Sequence, residues 1–172
     1  NSFIFLVRKL VGVKQEMPYT IDQIKSDKDS HFSGALATGA QEYEDLSFPD
    51  GYSEAQIQKL RIHRAVIVAD NTNTTTLVPF YINFWGSDAA SLATDPDLDL
   101  FQGRMEFAEG DLEQIGGGGL YRGIRDLGDS PMYYIDEDNS SELHVSLQNT
   151  DGSTAWHADD EVRITFFVEP IL

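Results

Sequence analysis

The sequence predicts an all-β chain: a single eight-stranded jelly-roll β-sandwich or barrel, residues 1–172 forming one domain, with short helices in the loops. Three observations predict it. Apolar and polar residues alternate over strand-length segments. Turn-rich clusters separate those segments: Asp70-Asn71-Thr72-Asn73, Gly116 to Gly119, Asp136 to Asn139, and Asn149-Thr150-Asp151-Gly152. With 172 residues there is room for long loops that a compact immunoglobulin sandwich would not need.

Taken in order, the first candidate strand is the apolar run from Phe3 to Val13, and the weakest is His31 to Thr38. Lys59-Leu60-Arg61-Ile62-His63 alternates cleanly and then slips phase into Ala65-Val66-Ile67-Val68. Thr76 to Trp85 sets Phe80, Ile82 and Phe84 against Tyr81, Asn83 and Trp85; Pro79 has no amide donor, which predicts an edge or a bulge there. Leu98 to Phe107 and Met132 to Ile135 follow. Glu142 to Gln148 is the clearest case, with Leu143, Val145 and Leu147 on one face. Glu161 to Phe166 repeats the pattern and runs into Phe167-Val168, as a strand covered on both faces would. Thr20 with Gln23 and Ser53 with Gln56 have the capping-box spacing of two short helices. A third helix is predicted through Leu120, Ile124 and Leu127.

Charge narrows the function classes. Asp and Glu total 29 against 12 Lys and Arg, a net charge of −17. Phosphate binding needs clustered cations, so no nucleic-acid partner is expected. A surface this acidic repels itself until salt screens it, since the Debye length falls from about 10 Å at 0.1 M to about 3 Å at 1 M. The cations are uneven: Arg8, Lys9 and Lys14 give the first fourteen residues a local positive charge with no acid among them. They read either as solvated cations on a first strand or as a foot facing an anionic surface such as lipid headgroups. The chain has no cysteine, so disulfides and thiolate metal sites are excluded.

No cluster amounts to a catalytic signature, and neither an enzyme activity nor a cofactor is expected. Asp95, Asp97 and Asp99, with Glu106, match ligand positions of an EF-hand loop. Leu100 stands where that loop needs glycine, and the flanks read as loop and strand. A solvated loop or an opportunistic cation site remains. Gly116 to Gly119 lacks the Lys-Ser/Thr of a phosphate loop. His31, His63, His144 and His157 stand alone in sequence, and His63 and His144 fall on the polar phase of their strands, where surface residues belong. No serine sits in a Gly-x-Ser-x-Gly elbow. Trp85, Trp156, Tyr121, Tyr133 and Tyr134 read as core and strand-pairing residues or as sugar-stacking rings. Asn73-Thr74-Thr75 and Asn139-Ser140-Ser141 match the glycosylation sequon in predicted loops.

Together, the apolar start Phe3-Ile4-Phe5-Leu6-Val7, the eight spaced strands and the closing strand Val162 to Val168 before Glu169-Pro170-Ile171-Leu172 resemble one family. The chain looks like a single-barrel major capsid protein of icosahedral, internal-membrane-containing haloarchaeal viruses. The resemblance implies an upright barrel in the virion capsid. It implies partners too: copies of the chain and a larger related capsid protein, sharing pseudo-hexameric capsomers. Arg8, Lys9 and Lys14 would then face the membrane or inner shell. A secreted carbohydrate-binding or adhesin-like sandwich of a halophile, and a small β-fold hydrolase or cupin-like metal enzyme, stay open beside it.

Overall fold

The computed structural model describes residues 21–26, 32–33, 36–70, 78–88, 98–116, 118–157 and 160–172. Eleven strands occur among them: β1 (Asp22–Lys25), β2 (Phe32–Ser33), β3 (Gln41–Ser47), β4 (Lys59–Asp70), β5 (Phe80–Trp85), β6 (Phe101–Phe107), β7 (Leu112–Gln114), β8 (Leu120–Asp126), β9 (Met132–Ile135), β10 (Glu142–Asn149) and β11 (Glu161–Ile171). All pairings are antiparallel.

Two sheets result. One runs β1-β11-β4-β8-β7, with β2 also on β11 and β9 also on β4; the other runs β3-β10-β5-β6. The chain crosses between the sheets repeatedly, from β2 to β3, β3 to β4, β4 to β5, β6 to β7, β9 to β10 and β10 to β11, and the order β1-β11-β4-β8 opposite β3-β10-β5-β6 is the double Greek key of a jelly roll. The all-β expectation holds.

Alternation builds the core. Leu60, Ile62, Ala65, Ile67 and Ala69 of β4 face inward with Val162, Ile164, Phe166 and Val168 of β11. Opposite them stand Phe80, Ile82 and Phe84 of β5 and Leu143, Val145 and Leu147 of β10. Phe84 and Phe166 meet edge-on across the sandwich at 5.5 Å. The phase slip in β4 is a bulge: Val168 pairs with Ile62 and Phe167 with Arg64, leaving His63 as the extra residue. That is why Ile62 and Ala65, three apart, both point inward.

Several local expectations are corrected. No α-helix occurs among the described residues, which hold two 3-10 turns, Leu98–Leu100 and Glu109–Asp111. Gln23 lies inside β1, paired with Phe167. Around Ser53 the chain makes successive turns, with Tyr52 N–H on Pro49 and Ile57 N–H on Tyr52; Gln56 at φ 53° stops any winding. The segment from Leu120 to Leu127 was patterned like a helix but pairs with β4 as β8. Its center, Gly123, has no room for a side chain: an added Cβ would sit 2.6 Å from Leu112 and 3.0 Å from Ile67. Pro79 precedes β5 and leaves it unbulged at that end, and β5 is an interior strand between β10 and β6. The expected strand Phe3 to Val13 lies outside the described residues, as does Asn73; of His31 to Thr38, residues 31, 34 and 35 lie outside them, and the strand that does form there is the two-residue β2, Phe32–Ser33.

Candidate functional site

The densest chemistry sits at one end of the four-stranded sheet. Register places Asp45 of edge strand β3 directly beside His144 of β10. The loop from Asp136 to Ser141 then folds back over the start of β10. Ser141 donates its N–H to Asp136 Oδ2 (2.8 Å), Ser140 donates its N–H to Asp138 Oδ1 (3.3 Å), and Asp88 donates its N–H to Asp138 Oδ2 (3.0 Å). Asn139 and Ser141 adopt φ of 58° and 60°, the left-handed conformation that lets so short a loop turn twice. Beneath it, buried Tyr134 of β9 donates to the Trp85 carbonyl (2.9 Å) and accepts the His144 N–H (3.1 Å), tying the loop's strand to the other sheet.

His144 is 0% exposed. Its Nδ1 lies 2.6 Å from Asp45 Oδ1; its Nε2 lies 3.2 Å from Asp138 Oδ1, 3.1 Å from Ser140 Oγ and 3.6 Å from Asp136 Oδ1. Burial opposes a charged imidazole, but hydrogen bonds to Asp45 and Asp138 and the charges of those carboxylates outweigh it, raising the His144 pKa to about 9. At neutral pH the ring is therefore an imidazolium with both N–H groups donating to acids. Asp136 is pushed up by burial and by its neighbor Asp138. Burial works against Asp138 ionising too, but hydrogen bonds from Asp136, Ser140 and His144 win and hold its carboxyl well below the usual range. Of the two, Asp138 is the one that keeps its charge to lower pH.

Ser140 Oγ, His144 and Asp45 line up in the order of a nucleophile, a base and its orienting carboxylate. The raised proton affinity of His144 works against that chemistry at neutral pH. A base must offer an empty nitrogen, whereas Nε2 keeps a proton between Ser140 and two carboxylates. The Ser141 N–H, next along the chain, is committed to Asp136 and so is no oxyanion donor. A cleft of about 300 Å³ opens beside Ser140, lined by Phe48, Asp50, Glu54 and Glu142 among others, and its walls are mostly polar.

Two sets of atoms could hold a cation, Asp45–Glu142–His144 and Asp136–Asp138–His144, each lying within 4.8 Å. Both draw on His144, so a metal there would compete with the imidazolium proton. The arrangement as it stands is an ion-paired clamp joining β3, β10 and the preceding loop.

The outer face of this sheet is unusual beyond the clamp. Asn83, Trp85 and Ser146 point away from the core yet are buried. Trp85 donates its indole N–H to Ser146 Oγ (3.0 Å), and Asn83 donates to Gln148 Oε1 (3.2 Å). Tyr43 and Phe101 flank Trp85 at 6.1 and 5.4 Å, and the Arg104 guanidinium lies 4.5 Å over Tyr81.

The residues singled out from sequence fall elsewhere. Asp95, Asp97, Arg8, Lys9 and Lys14 lie outside the described residues; Asp99 is exposed in the 3-10 turn before β6. His63 meets Glu169 Oε2 at 3.0 Å on the other sheet, and His157 donates its backbone N–H to Asp160 Oδ2. His144 corrects the surface assignment made for it. It does occupy the polar phase of β10, but Asp45 and the Asp136 loop cover it. A usable signal existed in the acid spacing Asp136-x-Asp138-x-Ser140 running into Glu142-x-His144.

No protein-family model matches the chain, and no curated protein does. Among solved structures it is similar to a chain of tomato aspermy virus, solved by X-ray crystallography, at 10% identity over 97% of this chain and 95% of that one, with a TM-score of 0.37. It is also similar to a chain of Desmodium yellow mottle tymovirus at 9% identity, over 89% of this chain and 90% of that one, with a TM-score of 0.27. At these scores the overlap is loose, and the fold rests on strand order.

Proposed function

We propose that this chain is a structural capsid protein: one upright barrel per chain, built into the virion shell. It assembles with copies of itself and with a related, larger capsid protein into pseudo-hexameric capsomers of an icosahedral, membrane-containing virus of a haloarchaeon. The Arg8, Lys9 and Lys14 segment then faces the membrane or inner shell, and the shell makes no direct contact with nucleic acid.

The observation that carries this reading is the jelly-roll order β1-β11-β4-β8 opposite β3-β10-β5-β6 in a chain of net charge −17. The sandwich interior is filled by apolar side chains, so the fold offers its outer faces, edges and loops for contact. Carboxylates at such contacts are tolerable when concentrated salt screens them or cations bridge them. Light scattering across a salt titration tests this: particles persist in molar salt and come apart in dilute buffer, whereas a particle size indifferent to salt contradicts it.

The competing carbohydrate-binding reading needs aromatic faces open along one side of the sheet. Tyr43, Trp85 and Phe101 do file across the four-stranded sheet. Trp85 is buried and its indole N–H is committed to Ser146, which leaves its ring closed to a sugar. A specific glycan-array signal would restore that reading.

A further inference from the structure

We propose that the outer face of the seven-stranded sheet is the surface through which one copy of this chain docks on a second copy. The inference rests on the capsid reading and deepens it by naming the contact. Its first support is the distribution of charge. Register puts Lys25, Lys59, Arg61, Arg64, Arg122 and Arg163 on this face, six of the eight basic residues among the described ones. Only five of the twenty-three described acids share it: Asp70, Glu113, Asp126, Glu161 and Glu169. The face is close to neutral, while the other described residues keep a large acidic excess. Two copies approaching through the other described residues, where acids outnumber cations eighteen to two, meet like charge; through this face they do not.

The second support is apolar. Thr165, Val66 and Ile124 form one row across β11, β4 and β8, with Ile124 49% exposed. Toward the other end Tyr133 is 61% exposed and Ile135 43%. The arginines are already organised for burial. Arg61 pairs with Glu169 at 2.8 Å and lies 5.7 Å over Tyr133; Arg64 pairs with Asp126 at 3.2 Å and lies 5.6 Å over Phe167. Arg122 and Arg163 pair with Glu113 and Glu161 at 3.3 and 3.1 Å. A face of apolar side chains, tyrosine and arginines neutralised in place matches the composition of a protein–protein contact. Cations so paired have little attraction left for anionic lipid, which favors a second copy over a membrane.

The chain has no cysteine, so an Ile124→Cys variant carries one reporter thiol. Its maleimide labeling, normalised to a small free thiol, is compared in molar salt and in dilute buffer. Labeling slows by about tenfold or more in the associated form, as for a side chain desolvated inside a contact. Ile124→Asp, confirmed as folded by its melting curve, fails to associate. Labeling unchanged by association, with Ile124→Asp associating as wild type does, overturns the docking face and leaves the capsid reading standing. A wild-type chain that stays single at every salt concentration overturns both. Binding to phosphatidylserine vesicles that Ile124→Asp abolishes, with self-association intact, assigns the face to lipid and overturns the proposal.

Discussion

The two sheets share one pleat and one alternation, yet their outer faces are built in opposite ways. On the seven-stranded sheet the outward residues are open or half-buried except Glu169, and each arginine meets an acid nearby on the same face. On the four-stranded sheet the outward residues Asn83, Trp85, His144 and Ser146 are themselves buried, and one imidazolium serves three carboxylates. The first carries its charges as surface ion pairs, which contribute little to folding. The second is a polar layer that holds the fold, where a lost partner leaves charge stranded out of water.

The sharpest way to break this contrast is His144→Ala. It strands Asp45, Asp136 and Asp138 together, and removing one partner of a buried pair costs about 3–5 kcal/mol. Urea unfolding at pH 7 checks it; a loss near that of an exposed arginine truncation would erase the distinction between the faces. Next in size is alkaline pH. His144 is raised above its unfolded value to about 9, so its contribution is complete below the unfolded pKa and disappears as pH rises through 9. The loss between pH 6 and 10 is on the order of 3 kcal/mol, and the His144→Ala variant lacks it. On the acid side Asp138, held low, gives stability that falls away as pH drops below its unfolded value. Smaller again is Gly123→Ala, whose methyl would press on Leu112 and Ile67 under the neutral face; overpacking of this kind costs about 1–3 kcal/mol. A melting curve indifferent to it would mean that β7 is not seated as described.

Legibility in the sequence follows how locally each feature is encoded. β10 and β11 were readable because one face is buried and the pattern has period two. The bulge in β4 was readable as a slip of phase. β3 was not, because Glu42 and Glu44 occupy the phase that pairs with Leu147 and Val145, so an edge strand carries acids where a central strand carries core. β8 imitated a helix because Ile124 is apolar but outward, while its inward neighbor is a glycine. Asp138 and Ser140 lie close enough in sequence to His144 to hint at the clamp, but its Asp45 arm was out of reach for a different reason: Asp45 is 99 residues away, and strand pairing alone brings it within 2.6 Å. Charge segregation was hidden likewise, since a net −17 says nothing about which face holds the cations.

The most direct test of the central claim is electron microscopy of the purified chain in molar salt, in negative stain. The account predicts regular shells or ring-shaped capsomers of uniform size that vanish on dialysis into dilute buffer. A field of isolated 19.2 kDa particles at every salt concentration would contradict it.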